Sequence, residues 1–186
     1  MGIVNILDRR FSILLDDQTI IARVKQLADE ISDDIQADNP VFIAVLNGSF
    51  MFAADLLKFI HFPCQIQFIK VSSYAGKQSS GNVQSVIGLN QSITGRNIVI
   101  LEDIIDSGIT IDYLINELVQ QKPESIKICT LLLKPKALKI DLKPDYVGFE
   151  VDNQFLVGYG LDYNGYGRNL IHIYVEDNGI NIRDLT

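Results

Sequence analysis

The residues most able to do chemistry together are Glu102, Asp103, Asp106, Ser107, Gly108 and Thr110, in the stretch Ile98-Val99-Ile100-Leu101-Glu102-Asp103-Ile104-Ile105-Asp106-Ser107-Gly108-Ile109-Thr110. Asp106 to Thr110 mixes glycine with hydroxyl residues just ahead of a helical pattern. Successive backbone N–H groups in such a turn form an anion-binding concavity, and the helix N-terminus reinforces it. Ser107 and Thr110 add hydroxyl donors, so the turn reads as a phosphate cradle. Glu102 and Asp103 are expected at the end of the preceding strand. Carboxylates repel a bare phosphate, and they make sense beside a ligand that also presents hydroxyls, or with Mg2+ between. A ribose phosphate meets both conditions. The alternative is a set of solvated turn residues, with Asp106 or Thr110 only capping a helix. A covered strand, a carboxylate pair, a third aspartate and a Ser-Gly-x-Thr turn in that order weigh against it. The stretch is not a Walker loop, which needs Lys after its second glycine. Gly158-Tyr159-Gly160 is not a dinucleotide fingerprint, because it lacks the third glycine and a following helix.

The elements that must hold these groups are legible as periodicity. Ile20, Val24, Leu27, Ala28, Ile31 and Ile35 recur at helical spacing, and Asp16 or Asp17 can cap that helix. Val41 to Leu46 and Ile98 to Leu101 are continuous apolar runs, the pattern of strands covered on both faces. Asn47-Gly48-Ser49 breaks the first run ahead of a helix from Phe50 to Phe59. Ile66 to Val71, Val83 to Ile87 and Ile126 to Leu133 read as further strands, and about Ile111 to Gln121 as a helix. Shorter strands follow at Tyr146 to Phe149, Phe155 to Tyr159 and Ile171 to Glu176. Ser72 to Asn82 is polar and glycine-containing, a surface loop. The alternation predicts an α/β fold, with a central parallel sheet and helices on both faces. Ligands bind such sheets beyond the carboxyl ends of the strands, here the ends of Val41–Leu46, Ile98–Leu101 and Ile126–Leu133.

With 186 residues, 47% of them hydrophobic, the chain suffices for one domain with a full core. Its formal net charge of −7 makes nucleic acid a poor partner, since binding a duplex needs clustered Lys and Arg. An acidic chain that handles an anion must compensate locally with backbone N–H groups, a few cations or a metal. Cys64 and Cys129 have no metal-ligand spacing and read as reduced, buried small hydrophobes. His61 and His172 read as satisfied structural histidines. The apolar run after Arg9-Arg10 stops at Asp16-Asp17, too early for a signal, and no stretch is long enough to span a bilayer. A cytoplasmic protein without membrane contact is expected.

At the 98–110 stretch the chain resembles the type I phosphoribosyltransferases, whose signature is a hydrophobic strand, two acids and an Asp-[Ser/Thr]-Gly-x-Thr loop. Val45-Leu46-Asn47-Gly48-Ser49, Ser73-Tyr74, Leu133-Lys134, Pro144 to Glu150 and Val157 to Asn164 extend the resemblance to the hypoxanthine (hypoxanthine-guanine) branch, over about Phe11 to Glu176. It implies a single domain over 1–186, with a core at about 38–140 and a small hood from about 1–16 and 145–186. It also implies transfer of the 5-phosphoribosyl group of 5-phosphoribosyl-1-pyrophosphate to N9 of a 6-oxopurine. Alternatives are a nucleotide-sensing regulator of the same fold, or a xanthine- or pyrimidine-directed transferase.

The resemblance implies a role for each site residue. Glu102 and Asp103 would hold the ribose hydroxyls and the Mg2+ environment, with the Asp162 side chain at a second Mg2+ site. Asp106 would be the general base near purine N7, and Asp106, Ser107, Gly108, Ile109 and Thr110 would bind the 5'-phosphate. Lys134 would meet the 6-oxo group, Phe155 would stack on the base, and the carbonyls of Leu156 and Asp162 would accept from its N–H edge. Asn47, Gly48 and Arg168 would grip pyrophosphate, and Ser73 and Tyr74 would sit on a loop that closes over the site. A homodimer or homotetramer is also implied. Asn47 stands where many relatives carry Lys or Arg, and Ile109 replaces a common Lys. On residue type alone, Lys134 and Arg168 read as surface residues, Phe155 as a core aromatic, Ser73-Tyr74 as strand-end residues and Asn47-Gly48 as a turn.

Overall fold

Residues 2–35, 40–73, 83–87 and 89–181 are described by a computed structural model of the chain. Its elements are β1 (Ile3–Ile6), β2 (Arg9–Leu15), α1 (Asp17–Ile35), β3 (Val41–Leu46), α2 (Phe50–Lys58), β4 (Gln65–Ser73), β5 (Val83–Ile87), β6 (Asn97–Ile105), α3 (Ile109–Val119), β7 (Ser125–Leu133), β8 (Tyr146–Glu150), β9 (Leu156–Val157) and β10 (Ile173–Asn181). They form a six-stranded sheet, ordered β5-β4-β3-β6-β7-β8, and a four-stranded sheet, ordered β1-β2-β10-β9.

The continuous apolar strands occupy the middle of the larger sheet, and alternate residues feed two cores. Phe42, Ala44, Val99 and Leu101 pack with Leu27 and Ile31 of α1 and Phe52 and Leu56 of α2. Val41, Ile43, Ile98 and Ile100 pack on the other face with Ile111, Leu114 and Leu118 of α3. The helices therefore lie on both faces, as the alternation predicts. Asp16 rather than Asp17 caps α1, its Oδ1 accepting from the Thr19 N–H at 2.7 Å.

Several details differ from the sequence expectation. The sheet is parallel from β4 to β8, whereas β5 pairs antiparallel to β4 as an edge strand. Helix α3 runs two residues earlier than its periodicity suggests. Strand β6 does not stop at Leu101 but continues through both acids to Ile105, because β7 goes on pairing with it, Glu102 opposite Thr130 and Ile105 opposite Leu133. On its other side β6 pairs with β3 only as far as Ala44–Leu101, while β3 goes on with β4 to Leu46–Lys70. The chain winds outward in opposite directions from β3 and β6, so the gap between their carboxyl ends is the switch point at which such sheets bind ligands. The acids face it.

The smaller sheet joins both ends of the chain and stands over that edge. His172, just before β10, ties the smaller sheet to the start of α1, its Nδ1 accepting from the Asp17 N–H at 2.9 Å. His61 is exposed rather than enclosed, and Cys64 is only half-buried, whereas Cys129 is buried; both cysteines are free. Tyr74 and the rest of the segment 74–82, expected to close over the site, lie outside the described residues, and of Ser73 the structure gives the backbone, paired with Val83.

Candidate active site

Asp106 begins the turn out of β6, and two abutting clefts share it together with Ile104. The smaller, about 90 Å³, is lined by Glu102, Ile105, Ser107, Gly108 and Thr110 as well. The larger, about 360 Å³, adds Asp103, Lys134, Phe155, Leu156, Asp162 and Arg168. The carboxylate pair is thus divided. Neighbouring strand residues point to opposite faces: Glu102 continues the Ile98–Ile100 side toward α3, and Asp103 the Val99–Leu101 side toward the larger cleft.

Gly108 opens α3 at φ +81°, a left-handed conformation that favours glycine. Gly108 has no side chain to cap this helix. Among the described residues only the Ile109 N–H has a side-chain partner there, Ser107 Oγ at 3.4 Å, so the N–H groups of Thr110 and Ile111 are open to an anion. A Cβ at Gly108 would also press on Ile140 at 2.9 Å. The turn is braced from below, where the Lys139 N–H donates to the Ser107 carbonyl at 3.0 Å. Ile109 is exposed and adds no charge, so the donors this turn offers are backbone N–H groups and hydroxyls.

Gly48, on the turn after β3, lies so close to the Asp103 carboxylate that a Cβ would overlap it, and a Cβ at Gly160 would overlap the Gly48 carbonyl. The two glycines let the β3 turn and the overlying sheet's loop close on Asp103. The Leu46–Asn47 peptide is cis, and the Asn47 side chain is exposed. Positive charge arrives from Arg168, which pairs with Asp162 at 2.5 Å and donates to the Gly160 carbonyl at 2.6 Å. Asp162 also accepts from the Gly165 N–H at 2.7 Å.

Lys134 follows β7. It is 7% exposed, and its Nζ donates to Asp106 Oδ2 at 2.8 Å. Phe155 is 41% exposed at the rim, edge-on to Tyr163 with ring centres 5.8 Å apart. Ile104 and Leu161 in the cleft wall, and Leu138 and Ile140 under the phosphate turn, were not singled out from sequence. They are apolar residues among many, with no chemical signal of their own.

Burial, and then the neighbouring Asp103 charge, push the Glu102 carboxyl well above its usual range. Its Oε2 is buried with no hydrogen-bond partner among the described residues. An unpartnered buried carboxylate oxygen is costly, and it suits a ligand that brings a hydroxyl or a cation. Burial also pushes Asp103 up to about 6, against the opposing pull of its own and Ile104's N–H groups and of Arg168.

The comparisons with known proteins agree with this geometry. The family model described as Phosphoribosyl transferase domain matches residues 11–164. The chain belongs to the phosphoribosyltransferase family. It is 46% identical over 164 residues to the hypoxanthine-guanine phosphoribosyltransferase of Bacillus subtilis, covering 88% of this chain and 91% of that one. The enzyme of the same name from Aquifex aeolicus is 40% identical, over 91% and 97%. A crystal structure of the Bacillus anthracis hypoxanthine-guanine phosphoribosyltransferase superposes with a TM-score of 0.84 at 41% identity, over 88% of this chain and 97% of that one. The resemblance drawn from the 98–110 stretch is therefore to the right family and branch, and the protein is a transferase.

The raised Asp103 has a consequence for stability. Between the ordinary aspartate value of 3.8 and about 6, the folded phosphoribosyltransferase holds a proton that the unfolded chain has released. Stability of the ligand-free protein therefore falls as pH rises through that window and levels off above it. Asp103→Asn removes the titration and keeps an acceptor for the two backbone N–H groups. In metal-free buffer the variant is expected to melt higher than wild type at pH 7 and to lose that advantage by pH 4. Parallel melting curves across pH 4–7 would contradict the burial argument.

Proposed function

We propose that this phosphoribosyltransferase serves purine salvage, moving the 5-phosphoribosyl group of 5-phosphoribosyl-1-pyrophosphate to N9 of hypoxanthine, and of guanine, to give IMP or GMP and pyrophosphate. The observation that carries the reading is the buried Lys134 ammonium, held on Asp106 in the wall of a cleft that abuts the phosphate turn. An ammonium only donates. It suits a 6-oxo acceptor and opposes a 6-amino donor.

In the reaction the bond from C1 of the ribose to the pyrophosphate oxygen breaks, and pyrophosphate leaves with the electron pair. The bond from C1 to N9 forms, and the imidazole proton of the base passes to Asp106. Ser107 to Thr110 hold the 5'-phosphate in the smaller cleft. Glu102, facing the same cleft, accepts from the ribose diol, and its charge favours the positive character that develops on the sugar. Phe155 stacks on the base, with the carbonyls of Leu156 and Asp162 reading its N–H edge. Gly48, Asn47 and Arg168 receive the leaving group.

The acids also fit Mg2+. Asp103 and Asp162 line one cleft, and Glu102 keeps an unpartnered oxygen. Among the described residues no three His, Cys, Asp or Glu side chains form a cluster that could hold a metal, so substrate oxygens and water would complete the shell, as Mg2+ prefers. Bound there, the ion would supply charge neutralisation and a template for the departing pyrophosphate. With Asn47 uncharged, Arg168 is the chain's own cation for that group.

The whole chain is read as one catalytic domain, its core at about 38–140 and its hood from about 1–16 and 145–186. It works in the cytoplasm as a homodimer or homotetramer, which light scattering in solution would measure. No described helix is long and apolar enough to cross a membrane. A panel of hypoxanthine, guanine, xanthine, adenine and uracil with 5-phosphoribosyl-1-pyrophosphate, followed by pyrophosphate release, tests the assignment. Turnover confined to 6-oxopurines is expected. Preference for adenine or uracil, or turnover of none, would overturn it.

A further inference from the structure

The β1–β2 hairpin contributes nothing to the site described above, yet its tip reaches the rim. Leu7 and Asp8 make the turn between the paired residues Ile6 and Arg9. Asp8 Oδ1 accepts from the Tyr163 hydroxyl at 2.8 Å. The Arg9 guanidinium carbon stands 4.5 Å from the centre of the Tyr163 ring and 5.5 Å from that of Phe155. Its Nη1 is held by Glu176 Oε2 at 3.1 Å. The fully buried Phe11, also on β2, lies 6.3 Å from each ring.

Phe155 therefore meets the larger cleft from a small cage: Phe11, the edge-on Tyr163 and the Arg9 cation. A half-exposed aromatic at a rim has rotamer freedom to lose when a ligand stacks on it, and that loss weakens binding. A cation over the ring restricts that freedom by its attraction to the π face. The cation is itself anchored by Glu176 on β10, so its position is set by the smaller sheet rather than by solvent.

We infer that Arg9 is a positioning residue for the purine base, acting through Phe155. The inference rests on the reading that Phe155 stacks on the base. These Arg9 contacts, with Glu176, Phe155 and Tyr163, do not involve Asp106 or the 107–110 turn, which follow β6 of the larger sheet. Arg9 thus affects how readily the base is held and leaves the chemical step and the phosphate subsite alone.

Steady-state kinetics of Arg9→Met, Arg9→Lys and Phe155→Ala, varying hypoxanthine and 5-phosphoribosyl-1-pyrophosphate separately, test this. Arg9→Met is expected to raise KM for hypoxanthine roughly three- to five-fold, the scale of one partly exposed cation–π contact. KM for 5-phosphoribosyl-1-pyrophosphate and kcat should stay within two-fold, about the scatter of such contacts. Arg9→Lys, which keeps a cation, should restore most of the loss, and Phe155→Ala should raise the hypoxanthine KM further. If Phe155→Ala raises it and Arg9→Met does not, the positioning role is wrong while the stacking assignment stands. If neither moves it, the stacking assignment itself fails. A loss in Arg9→Met spread over kcat and both KM values, unrelieved by Lys, would mark Arg9 as a structural residue only.

Discussion

Asp106→Asn is expected to lower kcat by roughly 10²- to 10⁴-fold, the usual contribution of a positioned general base, while nucleotide affinity changes little. Asparagine has the same size and still offers Oδ1 to the Lys134 ammonium, which donates to Asp106 at 2.8 Å in the native site. What it loses is the capacity to take a proton. Asp106 is the polar residue common to both clefts, so it alone can face a base in one while its backbone turn holds a phosphate in the other. Turnover and IMP binding measured on one preparation separate the two effects. Turnover near the native rate would remove Asp106 as the base. Affinity that fell as far as turnover would reassign it to binding.

Lys134→Ala carries the second large effect, on selectivity. With the ammonium gone, the 6-oxo group of a bound purine loses the donor proposed for it. An unmet buried polar group costs about 1–3 kcal/mol, or about 5- to 150-fold in kcat/KM for hypoxanthine. Adenine no longer meets an opposing donor, so its relative disadvantage shrinks. The phosphate cleft does not include Lys134, so binding of ribose 5-phosphate should persist. Asp106 loses its partner in the same variant and some turnover falls with it, and the ratio of hypoxanthine to adenine kcat/KM is therefore the decisive readout. Hypoxanthine kinetics like wild type, with the ratio unmoved, would refute the assignment of Lys134 to the 6-oxo group.

The turn proposed to hold phosphate was legible as a turn because everything it needs is contiguous. A left-handed glycine, two hydroxyls and the first N–H groups of a helix are consecutive in Asp106 to Thr110, and backbone donors do not depend on residue type. The covered strands were legible for a similar local reason, their apolar runs being longer than one face requires. The end of β6 was not. Acids after a covered run read as a strand end, but a neighbouring strand that continues past them supplies the hydrogen bonds that extend it. That extension also separates Glu102 from Asp103, which a linear reading treats as one unit. Lys134, Phe155 and Arg168 are of residue types found mostly at surfaces or in cores. Burial of Lys134 at 7% exposure and the pairing of Arg168 with Asp162 are what distinguish them.

Taken alone, the order of residues determined the α/β alternation, the two faces of the central sheet, the glycine-and-hydroxyl turn ahead of α3 and the family. All of these follow from short-range periodicity and backbone chemistry. Only the folded chain decided which acid faces which cleft, why glycine must stand at 48 and 160, and how the amino-terminal hairpin comes to grip Phe155. Those features depend on contacts between residues far apart in the chain. Such contacts leave no periodic trace, because any residue of suitable size or charge can make them once the two sheets have closed.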